Sequence, residues 1–243
     1  MRRTLSLMAA AALLAFGAPT PAQDLGGALD LGQLGADIGV NAAIRANVAR
    51  TRSESPPPAG RRVRPAAARL TYTPSPDRRR DNLARFVAKS RTRDPQGAAQ
   101  LERLFASQDV IARMHREMAA YGFRPNDVGD AYAAWWINAW LAAHGRTADP
   151  SRTQIDAVRA QAAQAMASLP QMNSASDAVK QEAAEAYLVQ TALIGGQLEG
   201  AKGNPDQSRR LAMAVRTAAR AAGLDLMAMD LTDQGFVSSR APR

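Results

Sequence analysis

The sequence predicts an all-α fold, and three observations carry it. Apolar residues recur at helical spacing in one segment after another from Asp77 onward. Asp, Ser or Asn stands at the start of those segments, often beside a proline. Glycine or proline closes them. The expected form is a compact bundle of six or seven helices over residues 77–236. A signal peptide at 1–22 and a disordered basic, Pro/Arg-rich arm at 23–76 precede it, and a short tail at 237–243 follows.

Met1-Arg2-Arg3 gives a positive start, and Thr4 to Ala18 is uncharged around Leu13, Leu14 and Phe16. Thr20-Pro21-Ala22 then places small residues at −3 and −1 of a cleavage site, the three-part form of a secretory signal. The stretch is shorter than the roughly 20 apolar residues of a spanning helix, so no transmembrane insertion is expected after cleavage. The expected location is outside the cytoplasm, periplasmic or secreted. Gln23 to Val40 is rich in glycine, with Asp24, Asp30 and Asp37, but lacks the nine-residue repeat of a calcium β-roll. It reads as a leader. Arg50 to Pro76 combines Pro56, Pro57, Pro58, Pro65, Pro74 and Pro76 with Arg61, Arg62, Arg64 and Arg69, a composition that resists packing. Leu70-Thr71-Tyr72 is a short segment able to form a strand or dock on the body.

The first helix starts at Asp77 and carries Leu83, Phe86 and Val87. The second follows Asp94-Pro95 with Leu101, Leu104 and Phe105. The third, from about Gln108, carries Val110, Ile111, Met114 and Met118 and ends near Gly122. The fourth is capped by Asn126 or Asp127 and stops at Gly145. The fifth follows Asp149-Pro150 with Ile155, Val158, Ala162 and Met166, and ends before Pro170. The sixth runs from Ser176 towards Leu198, with a kink or frayed end at Gly195-Gly196. The seventh follows Asn204-Pro205 and ends at Gly223. Leu224 to Phe236 reads as a short strand or a turn of helix.

Composition removes several functions. Cysteine is absent and there are two histidines, which excludes disulfide scaffolds, thiol nucleophiles and a three-histidine metal site. No cofactor is implied, and no catalytic or metal-ligating residue is assigned. The charge is uneven. Arg45 to Arg93 holds 14 Lys+Arg against 3 acids, while Asp94 to Arg243 holds 15 against 16. The basic part, with Arg61, Arg62, Arg64, Arg78, Arg79 and Arg80, is a candidate contact for an anionic surface.

The fourth helix has no charged residue between Asp130 and Arg146, and it contains all three tryptophans. A helix apolar nearly all round belongs at the centre of a bundle. The alternative is an aromatic platform for a sugar or a peptide. Arg124, Asp127, Asp130 and His144 are the candidate binding residues around it. Two aspartates three apart suggest acid–base work, but at a helix start they are first caps and partners of the dipole. His144 stands where a cation favours the helix C-terminus. His115 and Glu117, two apart, do not face each other.

The stretch Tyr121-Gly122-Phe123-Arg124-Pro125-Asn126-Asp127-Val128-Gly129-Asp130-Ala131-Tyr132-Ala133-Ala134-Trp135-Trp136, followed by Trp140 and Ala143-His144-Gly145, resembles the central motif of a bacterial domain family of unknown function. That family occurs in exported, mostly proteobacterial proteins. Gly223-Leu224-Asp225-Leu226 and Leu231-Thr232-Asp233-Gln234-Gly235-Phe236 are similar to its C-terminal signature. The likeness covers about Leu70 to Phe236, and His144 departs from an expected Asn. The resemblance implies a single exported helical domain and adds no catalytic residue. Three function classes follow. The first is a non-enzymatic interaction or structural protein whose partner is another envelope protein. The second is a binder of lipopolysaccharide, anionic lipid or nucleic acid through the basic arm. The third is an enzyme with an unrecognised site.

Overall fold

A stretch of chain with no charge to hold it in water has to become the middle of something. The computed structural model describes residues 40–53 and 70–239. The described chain forms α1 (Val40–Ser53), α2 (Pro76–Arg91), α3 (Pro95–Ser107), α4 (Val110–Ala119), α5 (Val128–Ala143), α6 (Arg152–Ala167), α7 (Pro170–Asn173), α8 (Asp177–Gly200) and α9 (Pro205–Ala221). A 3₁₀ turn (Leu226–Ala228) and strands β1 (Met229–Thr232) and β2 (Gly235–Ser238) follow. All 16 residues of α5 are buried. The longest helix, α8, makes the most extensive contact with it, and α6 and α9 also pack on it. Helix α2 packs on α8 and carries α3 on itself, and α4 packs on α8 as well. The fold is mostly helical around one core.

Side-chain caps fix where the helices begin. Ser75, Asp94, Asp109, Asp127, Ser151, Ser176 and Asn204 each accept a backbone N–H from the first turn of the helix that follows. Two caps differ from the sequence expectation. Pro76 takes the first position of α2, so Ser75 rather than Asp77 is its cap. Helix α6 is capped by Ser151, which forms a reciprocal capping box with Gln154 at 3.1 and 2.9 Å. The one-turn α7 occupies the link after Pro170, and α8 continues through Gly195 and Gly196.

Two pieces of the segment assigned to the arm belong to the body. Helix α1 buries Ile44 and Val48. Its Asn41 donates to the Ala222 carbonyl at 2.8 Å and accepts from the Tyr132 hydroxyl at 2.9 Å. Half of the buried set of α1 is polar (Asn41, Asn47), so the apolar period that would have marked the helix is faint. Leu70 to Tyr72 lies along the entry to α5. Val128 N–H donates to the Leu70 carbonyl at 3.1 Å and Tyr72 N–H to that of Asn126 at 3.0 Å, with Thr71 bridging Asp127. The expected signal peptide and the arginines at 61, 62, 64 and 69 lie outside the described residues.

The C-terminal signature is a 3₁₀ turn and a hairpin rather than one strand or one helical turn. Leu231 pairs with Phe236 and Thr232 with Gly235 across Asp233-Gln234. β2 also takes residues 237 and 238 out of the expected tail. The outer edge of β2 is closed by one side chain. Gln161 Nε2 donates to the Phe236 carbonyl at 2.8 Å, and Phe236 N–H donates to Gln161 Oε1 at 2.7 Å. The amide of Gln161 thus stands in for the next strand of a sheet. Phe236 is fully buried, with its ring 4.3 Å from that of Trp136. Gly235 is required here, since its φ is +94° and a Cβ would lie 2.3 Å from Gln161 Oε1.

Replacing Gln161 by Ala leaves both Phe236 backbone groups unpaired inside the core. It should lower stability by about 2 kcal/mol, within the range for buried polar groups stripped of a partner. Urea unfolding measures the loss. Amide exchange should show Phe236 losing protection before the amides of α5, and unchanged protection would refute this account of the hairpin.

Candidate functional site

The loop from Gly122 to Asp127 turns the chain into α5. Gly122 sits at φ +75° and Asn126 at φ +54°, and Asn tolerates that left-handed conformation better than most residues. The turn aims Arg124 back at the first turn of α5. Asp130 there is fully buried, and a buried carboxylate is stable only when its oxygens are paired. Its Oδ2 accepts the Arg124 backbone N–H at 2.6 Å, Arg124 Nε at 3.1 Å and Arg159 Nη2 at 2.8 Å. Its Oδ1 accepts Arg124 Nη2 at 3.0 Å. Asp127, also buried, caps the helix by accepting Asp130 N–H at 3.0 Å, and its other oxygen is 3.0 Å from Arg124 Nη2. Arg159 continues the chain of charges to Asp156 at 3.0 Å, with its guanidinium over the Phe123 ring.

The two carboxyls are pushed apart in acidity. Burial by itself would raise Asp130, but the hydrogen bonds from Arg124 and Arg159 outweigh it and hold the group below the usual aspartate value. For Asp127, burial prevails, helped by the charge of Asp130. The backbone N–H groups and Arg124 oppose it and lose, so Asp127 titrates above the usual value.

The structure brings Arg124, Asp127 and Asp130 together and places His144 elsewhere. His144 is the C-cap of α5, 14 residues after Asp130, or about 21 Å along the helix. Its Nε2 lies 3.1 Å from the Leu226 carbonyl, and its ring centroid lies 4.5 Å from that of Trp140, tilted by 33°. A carbonyl only accepts, so Nε2 carries a proton and donates to it. His115 has its pKa lowered by burial and then by Arg79. Glu117 pairs with Arg113 rather than with His115. The tryptophan rings offer no open platform. Trp135, Trp136 and Trp140 are at most 2 % exposed, and Trp140 Nε1 donates to the Met229 carbonyl at 2.8 Å.

The three arginines expected in the basic arm at 78–80 stand on α2, where Arg78 and Arg79 are tied to other elements and Arg80 is exposed. Arg78 donates to Gln181 at 3.0 Å and to the Thr73 carbonyl at 2.8 Å. Arg79 bridges Asp109 at 2.8 Å and Glu185 at 3.0 Å. Arg80 pairs with Asp77 at 2.5 Å. Glu185 is the residue that sequence reasoning missed. It is 1 % exposed, and it accepts from Arg79, from Gln181 at 2.9 Å and from Asn82 at 2.7 Å. Its signal was present, as a single acid inside the small apolar run Ala183-Ala184-Glu185-Ala186-Tyr187. Among the described residues, no three His, Asp or Glu side chains gather as metal ligands.

The two aspartates should respond in opposite ways. Asp130→Asn removes the buried charge that satisfies Arg159 and should cost about 3 kcal/mol at pH 7. Asp127→Asn keeps a good cap and removes a disfavoured charge, so it should be neutral or slightly stabilising there. The folded-state pKa of Asp130 is depressed. Its contribution is therefore complete above the unfolded value near 4, and it is lost as pH falls from there through the folded value. The Asp130→Asn deficit should shrink over that window. Urea titrations at several pH values decide this, and equal deficits for both variants at pH 7 would contradict it.

Comparison with curated proteins finds no match, and neither does comparison with solved structures. A family match does exist, and it begins at residue 1. The leader and the arm, which the motif resemblance left outside, therefore fall within the matched span. Over residues 1–238 the chain belongs to DUF6683, a family of unknown function.

Proposed function

We propose that this is an exported, non-enzymatic helical protein whose body serves as an interaction or structural module for another envelope protein. The observation that carries this reading is how the charges at the mouth of α5 are used. Asp130 is fully buried under four hydrogen bonds from two arginines, and Asp127 is occupied as a cap. A carboxylate so held, with its pKa depressed, is a poor proton acceptor and meets no substrate. Arg124 is about half exposed, but its guanidinium already answers both aspartates. Export rests on the leader, with its arginine pair, apolar centre and small residues up to Ala22. Among the described residues, no helix is long and apolar enough to cross a membrane.

The second reading, contact with an anionic surface through the arm, is sharpened by α2. Arg78 and Arg79 are engaged within the body, so this reading rests on Arg61, Arg62, Arg64 and Arg69, with Arg80, which is exposed and pairs only with Asp77 of its own helix.

A pull-down from envelope extract separates the readings. The bait is the chain from Gln23, with and without Arg61→Gln, Arg62→Gln and Arg64→Gln together. A protein retained equally by both forms in high salt is the expected result. Capture of lipid, polysaccharide or nucleic acid by the unsubstituted form alone would move function to the arm. Capture of nothing by either form would favour a small-molecule role.

A further inference from the structure

Helix α9 presents two unlike faces. Leu211, Ala212, Val215 and Ala219 are buried against the body. The opposite side exposes Arg209, Arg210, Met213 and Arg220. Within Pro205–Ala221 there are four arginines and one acid, Asp206. Arg209 pairs with Asp206, and Arg220 stands 3.6 Å from Asp225. Arg210 has no ion-pair partner among the described residues, so the face keeps a positive excess. Met213 is 63 % exposed, the more exposed of two large apolar side chains on the described surface. Arg209 and Arg210 lie one turn before it and Arg216 one turn after. Arg216 is anchored, its Nε donating to the Ala143 carbonyl at 2.7 Å.

Another exposed cation stands by the C-terminal end of α9. Arg45 of α1 is exposed and donates through Nη1 to the carbonyl of Gly223, two residues past the end of α9. Helix α1 contains no acid.

We propose that the outer face of α9, with Arg45 beside its C-terminal end, docks on an anionic lipid surface. Cations ringing a flexible, unbranched apolar side chain on a surface-lying helix suit the headgroup region. The arginine stems lie along the acyl boundary, their heads reach phosphate, and the methionine inserts. A nucleic acid would use the arginines and leave Met213 without a role. Arginine and methionine also occur at protein interfaces, but the outer face of α9 offers no aromatic anchor of the kind that dominates them. The proposal goes beyond the interaction reading and needs no residue of the arm.

The test uses the chain from Gln23 and sedimentation with vesicles of phosphatidylcholine, with or without about 30 % phosphatidylglycerol. Binding should require the anionic lipid and fall with added salt. Arg209→Gln with Arg210→Gln should weaken it roughly 25-fold, taking about 5-fold for each arginine near the surface. Met213→Asp should weaken it as well, while Met213→Leu should retain it. These side chains are exposed, and an unchanged thermal melt confirms that the variants fold. Arg103→Gln with Arg116→Gln, on α3 and α4, removes the same charge elsewhere and should keep most of the binding. The proposal is overturned by equal loss in that control pair, by binding lost only when Arg61, Arg62 and Arg64 are replaced, or by no preference for anionic vesicles. Tighter binding of a duplex oligonucleotide that ignores Met213 would also overturn it.

Discussion

A helix of 16 residues with no exposed position must be covered on every side and at both ends, and that requirement organises this molecule. Most of its side chains reward only apolar neighbours, and the few polar ones, such as the Tyr132 hydroxyl and the Trp140 indole, need a named partner. Helices α6, α8 and α9 supply three of those neighbours. The hairpin supplies another, since Phe236 lies against Trp136 and Trp140. Tyr132, Trp135 and Tyr187 form an aromatic cluster where α5 meets α8. Burial of such rings is worth about 2–3 kcal/mol each, so the position of α5 dominates the stability of the body.

The ends of α5 are where polarity returns, and both are settled by specific partners. At the N-terminus a buried aspartate would be intolerable alone, and Arg124 and Arg159 make it acceptable. At the C-terminus His144, Arg216 and the indole of Trp140 bind carbonyl groups at Leu226, Ala143 and Met229. A similar logic recurs elsewhere. Glu185 joins α2 to α8, Gln161 joins α6 to β2, and Asn41 joins α1 to the end of α9 and to Tyr132. Apolar contacts between alanine-rich helices slide easily. Buried hydrogen bonds of this kind fix one register, because every alternative leaves polar groups unpaired.

Charge is distributed on a different principle from that of the core. Most arginines of α2 and α6 answer acids within the body, whereas α9 carries an arginine excess on its outer side. Engaged charges describe how the fold closes, and unbalanced ones describe where it can meet something else. The aspartates at the entry to α5 illustrate the first kind. Their spacing suits chemistry, and in the folded chain Asp127 caps α5 while Asp130 pairs with Arg124 and Arg159.

Local signals determined the helices. Apolar spacing, Asp or Ser before proline, and Gly223 after α9 are short-range features, and the backbone obeys them nearly where they stand. The central place of α5 was also legible, because a run without charge can be nowhere else. Of the candidate site, the capping role of Asp127 could be read from its position, but the pairing of Asp130 with Arg159 could not. Arg159 is 29 residues away and is brought near only when α6 packs on α5. The same holds for Glu185 with Arg79, for Gln161 with the edge of β2, and for α1, whose buried residues are half asparagine. Caps and apolar stripes are encoded within one helical turn, so the sequence by itself specified them. Buried polar pairs arise between elements far apart in the chain. Which donor meets which acceptor was decided only when the helices packed and water was removed.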